Sequence, residues 1–359
     1  MATDSLRERL GGTTDFDQVG ERTRLIAALG VGLFVLTLGF LFSSLVVSVP
    51  NASLVFIETG ITWGVYALLV LGLNVQFGNT GLVNFGYLVF FMLGGYTFAL
   101  VTSDAAAFGG LGLAWPVGVV AVLVAVLVLG LAFGVVALRL RDDFLAIVTL
   151  AALLVGIELI ESFDGITGGT NGIYGIPELL DGLAGTYQNR LVTTLLLVIS
   201  FVLVGYAVSQ RLTEGPYGRV LRSIRSDELV SQTLGKRTFR YKVQAFLFGA
   251  VMAGIAGILL STHRGSITPD FFGLHITIIV WVGMLLGGSG NNRSVLAGLA
   301  IILALNLSLR FVSSGVTDLI PNVRFGAVSQ MIIGLVLVLV MRYRPEGIWG
   351  NPAELEVHE

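Results

Sequence analysis

Cysteine is absent from the 359 residues, so disulfide staples, thiolate metal sites and cysteine nucleophiles are excluded together. Histidine occurs only as His263, His275 and His358, with no HExxH or other pair at ligand spacing, so neither imidazole catalysis, bound zinc nor any other cofactor is expected. The only lysines are Lys236, followed by Arg237, and Lys242, preceded by Tyr241, so no GxxxxGKS/T phosphate cradle exists and the chain cannot hydrolyse ATP by that route. Charge of either sign is scarce, at 12% of residues, where a soluble chain carries about a quarter. That shortage argues against a water-soluble fold.

Apolar residues fill the gap: 55% of the chain is hydrophobic and the mean hydropathy is +0.88. A helix rises 1.5 Å per residue and the hydrocarbon core is about 30 Å thick, so a spanning helix needs about 17 to 25 apolar residues. Ten such stretches occur, near residues 25–47, 53–73, 82–102, 114–138, 144–161, 191–210, 243–262, 274–290, 294–313 and 325–341. No alternation with aromatic girdles points to a barrel. The expected fold is an all-α polytopic membrane protein of about ten helices. It has a polar tail over 1–24, a membrane domain over 25–341 and a second tail over 342–359. The first apolar run exceeds a signal-peptide core and reads as an uncleaved anchor.

Lys and Arg resist translocation and collect on the cytoplasmic side. With the N-terminus inside, all but four of the 21 bases lie inside; the exceptions are Arg190, Arg264, Arg310 and Arg324. Both termini are therefore expected in the cytoplasm of a multi-pass protein of the cell membrane. The acids gather near the chain ends, and nothing in the charge distribution calls for nucleic acid.

Two connections exceed a turn. The outer one, 162–190, carries Thr167-Gly168-Gly169-Thr170-Asn171 and runs on to Pro177, which stops any helix. The inner one, 211–242, holds eight bases and a proline-free segment from Gly218 to Gly235. There Val220, Leu221 and Ile224 share one face, and Leu229, Val230, Thr233 and Leu234 form a second stripe, so a short amphipathic helix is expected. Ser226 or Asp227 can cap a helix that ends at Gly235. Its pattern fits two readings: a basic anchor on anionic headgroups, or a helix docked on another protein.

Residues 77–86 interrupt the apolar pattern with three glycines, two asparagines and a threonine. Such a break is either a short cytoplasmic turn or irregular backbone dipping into a substrate route, with Thr80, Asn84, Phe85 and Gly86 as the residues concerned. Glu158, Glu161 and Asp164 read as solvated acids at the outer mouth, and Glu58 lies deeper in the second span. Gly249, Ala250, Ala253, Gly254 and Gly257 mark a face for close helix packing.

Several blocks in order resemble the branched-chain amino acid permease family of ATP-binding cassette (ABC) importers, M-type subunit. They are Phe77 to Gly86, Leu138 to Leu150, Thr167 to Pro177, Gly218 to Gly235, Ile267 to Asp270, Leu285 to Gly290 and Arg344 to Ile348. The class's coupling triplet, Glu-Ala-Ala with a later glycine, would fall on Leu229, Val230 and Ser231 ahead of Gly235, and none matches; Glu228 stands one place early.

The resemblance tips the inner segment toward docking. It implies that Arg222, Arg225, Asp227, Glu228, Leu229, Val230, Leu234 and Gly235 form the handle for ABC ATPase subunits, and that a second homologous permease subunit and an extracytoplasmic substrate-binding protein complete the importer. Thr167, Gly168, Gly169 and Asn171 become the outer lip of the substrate path. The chain itself is then no enzyme. Urea or short-amide permeases of the same family, an ion-driven carrier or channel coupled through Glu58, and a membrane scaffold that transports nothing are the competing expectations.

Overall fold

Apolar runs with little charge become helices because a backbone in hydrocarbon must satisfy its own hydrogen bonds. A computed structural model of the protein describes residues 52–104, 110–179, 187–317, 330–336, 338, 342 and 347–349. Helix α1, Ala52–Leu73, runs into a π turn at Asn74–Gly78, and α2 is Leu88–Thr102. Then come α3 (Trp115–Ala137), α4 (Asp142–Ser162), the single turn α5 (Asp164–Thr167) and the short strand β1 (Ile173–Tyr174). Helix α6, Tyr187–Glu214, leads into a hairpin of α7 (Pro216–Ser226) and α8 (Glu228–Thr233). The chain continues through α9 (Thr238–Arg264), β2 (Ser266–Ile267), a 3-10 turn at Pro269–Phe272, α10 (Leu274–Gly287) and α11 (Asn292–Thr317).

Seven segments among the described residues are long and apolar enough to cross a membrane. Together with the shorter α2 they coincide with eight of the ten predicted spans. The predicted span at 25–47 and most of that at 325–341, with both tails apart from a few positions, lie outside the described residues.

Helix α9 is the centre of the packing, with α1, α2 and α3 against it, while α6 lies on α1 and α10 pairs with α11. Its small-residue face explains how it fits. Gly254 meets Gly94 of α2 backbone to backbone, and a Cβ on Gly94 would overlap the Gly254 carbonyl. Phe90, Phe91, Phe98 and Phe246 fill the surrounding core. The outward faces of α3 and α4 expose Val120, Val124, Val128, Ile147, Leu154 and Val155, the surface expected where lipid or another membrane subunit is the solvent.

Contacts divide the loops between two ends. Arg139 lies over the Phe239 ring, Arg225 reaches Gly78, Gly290 bonds Asn74, and Ile348 donates to the Leu286 carbonyl, so these connections share one end, rich in bases. At the far end β1 pairs antiparallel with β2, joining Ile173 to Ile267 and Tyr174 to Ser266. This is the alternation expected from the charge pattern. At the basic end Ile348 and Trp349 donate to the carbonyls of Leu286 and Gly287, at 2.8 and 3.2 Å.

Candidate functional site

The second predicted span, 53–73, is an α-helix to Leu73 and its helical backbone runs on for a further turn. After Leu73 the helix widens into a π turn, and the side chains of Asn79 and Thr80 close on the carbonyls of Asn74 and Val75, at 3.0 and 2.9 Å. Residues 81–87 are then non-helical. The third span, expected from residue 82, is therefore a helix only from Leu88, and its 15 residues rise about 22 Å, short of the roughly 30 Å of hydrocarbon.

Several polar groups of this interrupted stretch are answered by protein, while the side-chain oxygens of Asn79 and Asn84 are buried with no partner among the described groups. Gln76 donates to the Phe246 carbonyl of α9 at 2.9 Å and accepts from Asn84 at 3.0 Å. Tyr87 donates to the Gly249 carbonyl at 3.0 Å, and the backbone N–H of Phe85 donates to Thr149 of α4 at 3.1 Å. Gly86 sits so close to Thr149 that a Cβ would overlap its carbonyl. Of the four residues singled out here, Thr80, Asn84 and Gly86 are buried and Phe85 is half-buried against Trp281. Trp281 also meets Phe77 edge-on, with ring centroids 5.0 Å apart.

The basic segment forms two short helices where one was expected. Asp227 breaks the run and caps the second helix, accepting from the Val230 N–H at 3.0 Å. The two apolar stripes then part company. Leu221 and Ile224 are buried, with Leu221 packed beside Val75 and Ala245, whereas Leu229, Val230 and Leu234 are 74, 52 and 71% exposed. The charged residues mostly hold the hairpin in place: Arg222 donates to the Thr213 carbonyl at 2.9 Å, Arg225 to the Gly78 carbonyl, and Glu228 pairs with Lys242. Burial raises the Glu228 carboxyl, but the hydrogen bond and charge of Lys242, with Thr238 and Gln232, outweigh it and hold the group below its ordinary value. Gly235 ends the hairpin with a left-handed backbone, φ +80°.

At the far end Thr167 donates to the carbonyls of Ile160 and Phe163, at 2.5 and 2.8 Å, and Gly168 turns the chain at φ +73°. Thr167, Gly168 and Gly169 are buried within the loop, and Asn171 is exposed. The two sets of expected path residues thus lie at opposite ends of the molecule. Glu158 and Asp164 are exposed and Glu161 half-buried, as expected of mouth acids. Glu58 is no isolated buried acid: it is exposed near the start of α1 and accepts from the Tyr187 hydroxyl at 3.1 Å.

Residues 55–341 match the family model described as "Branched-chain amino acid transport system / permease component". The chain belongs to this permease family. It is 34% identical to the high-affinity branched-chain amino acid transport system permease protein LivM of Escherichia coli, over 79% of this chain and 67% of the relative. A probable branched-chain amino acid transport permease protein LivM of Methanocaldococcus jannaschii is 26% identical, over 80% of this chain and 90% of that one. The E. coli permease protein LivH is 28% identical, over 82% and 94%. No solved structure matches. The permease is accordingly a multi-pass membrane protein, and both the interrupted stretch and the hairpin fall inside the matched residues.

The permease also carries residues whose partnerships were not readable from the sequence. Asn74 meets Asn292, Gln210 and Thr213 lie against Asn292, Gln76 holds Phe246, and Thr149 and Trp281 both meet Phe85, all only in the folded chain. A signal for some of them was present. Asn74 and Gln76 are amides at the end of an apolar run, where they have to find partners in protein, but the partners were not readable.

Proposed function

We propose that this permease is one membrane subunit of an ATP-driven importer for branched-chain amino acids, its basic end facing the cytoplasm. The observation that carries the reading is the hairpin's outward ridge: Leu229, Val230 and Leu234 stand in the open on a segment whose other apolar stripe is already buried. Three apolar side chains lifted off the helix bundle call for a protein partner. In this reading the partner is an ATPase subunit, as the resemblance to ABC importers implies, which grips the hairpin and drives alternating access.

The similarity to both LivM and LivH favours a second, homologous permease as neighbour, and a substrate-binding protein would dock at the far end, where Asn171 and Tyr174 are exposed. The path would pass Thr80 to Gly86 at one end and Thr167 to Asn171 at the other. Phe85, Phe77 and Trp281 offer an apolar surface suited to a leucine, isoleucine or valine side chain.

Reconstitution with the partner subunits in vesicles tests this. ATP-dependent uptake of leucine, with no uptake driven by an ion gradient alone, is the expected result. Uptake that persists without ATP or partners would overturn it, and competition by urea or short amides but not by valine would move the substrate class.

A further inference from the structure

At the basic end a buried amide pair closes a ring of hydrogen bonds through three regions far apart in the chain: the π turn, the end of α6 with the hairpin that follows it, and the turn before α11. Asn74, in the π turn, donates to the Asn292 side-chain oxygen at 2.9 Å and accepts from the Gly290 N–H at 2.8 Å. Asn292 in turn donates to Gln210 at 3.1 Å and reaches the Thr213 hydroxyl at 3.4 Å, both at the end of α6. From there the ring continues through the hairpin: the Thr213 carbonyl accepts from Arg222, and Arg225 returns to the Gly78 carbonyl of the π turn. Asn74 is fully buried and Asn292 nearly so.

The architecture of the ring matters more than any single bond. Besides Asn74 and Asn292, the contacts that join the hairpin to the π turn include Arg225 on Gly78 and the packing of Leu221 on Val75. With them, the π turn is held from two sides. A buried amide pair of this kind is no more stabilising than well-packed apolar side chains of similar volume, but it fixes one geometry.

From this we infer that Asn74 and Asn292 are positioning residues that transmit a displacement of the hairpin to the stretch 81–87. The inference rests on the docking reading above. Its consequence is that breaking the pair separates ATP hydrolysis from transport while leaving the partner bound.

The test uses the whole complex in vesicles, with substrate uptake measured per ATP hydrolysed for Asn74→Ala, Asn292→Ala and the double variant. The expected result is normal co-purification of the ATPase and a fall in that ratio of at least about fivefold in each single variant, the scale of an ordinary inter-site coupling. The double variant should be no worse than either single one, because opening the ring once is enough. A ratio within about twofold of the parent overturns the inference, as does a double variant showing the product of two independent losses. If alanine prevents assembly, Asn292→Ser and Gln210→Ala apply the same criteria to a milder lesion. Failure of the unmodified permease to retain the ATPase would instead refute docking, and is seen separately by co-elution.

Discussion

Phe85 lies against Trp281, ring centroids 4.7 Å apart and planes tilted by 30°, so the interrupted stretch after the π turn leans on α10. Trp281 is 7% exposed, and its indole N–H is buried with no partner among the described groups. Removing the donor should therefore cost little, whereas removing the ring should cost the packing. We expect Trp281→Phe to unfold near the parent's temperature, and Trp281→Ala to lose about 3–5 kcal/mol and most uptake. Thermal unfolding in detergent checks both; equal loss in the two variants would show that the N–H has a partner after all.

Leu234 is 71% exposed, so a charge there leaves the fold nearly unchanged, within about 0.5 kcal/mol. Leu234→Asp should insert normally yet fail to retain the ATPase or to raise its turnover with substrate. Substrate-stimulated hydrolysis at the parent's rate would sink the docking role of the ridge.

The Glu228–Lys242 pair ties the start of α8 to α9. Because the Glu228 carboxyl is held below its ordinary value of 4.5, the tie is complete above that value and is lost as pH falls through the lower, folded one. Proteolysis of the hairpin between pH 6 and pH 3 should rise accordingly, and Glu228→Gln should be cleaved at the same rate throughout. A pH step that survives in the glutamine variant would assign it to another group.

The absence of cysteine makes topology directly testable. A thiol introduced at Asn171 should react with a membrane-impermeant reagent added to intact cells, and one at Leu234 only after permeabilisation. The reverse pattern would invert the orientation and remove the hairpin from any cytoplasmic partner.

How much of this was readable in advance differs from element to element. Spans such as Trp115–Ala137 and Thr238–Arg264 were legible because hydrophobicity over a bilayer's thickness is a local property of the chain. The break was legible as a run of Gly, Asn and Thr, but not its extent, since the helix start at Leu88 depends on partners in α9 and α4. Both stripes of the hairpin were visible, but not that one turns inward on Val75 while the other is left in the open. Periodicity assigns residues to a face without saying what that face meets.

Alone, the sequence determined that the chain lives in lipid and that it crosses repeatedly with its bases collected at one end. Those facts follow from summed transfer free energies, which need no knowledge of neighbours. Only the tertiary structure decided that Asn74 meets Asn292 across more than two hundred residues, with Gln210 and Thr213 completing the contact. Hydrogen bonds are short-ranged and directional, so which amide answers which is settled by helix packing, after the spans themselves have formed.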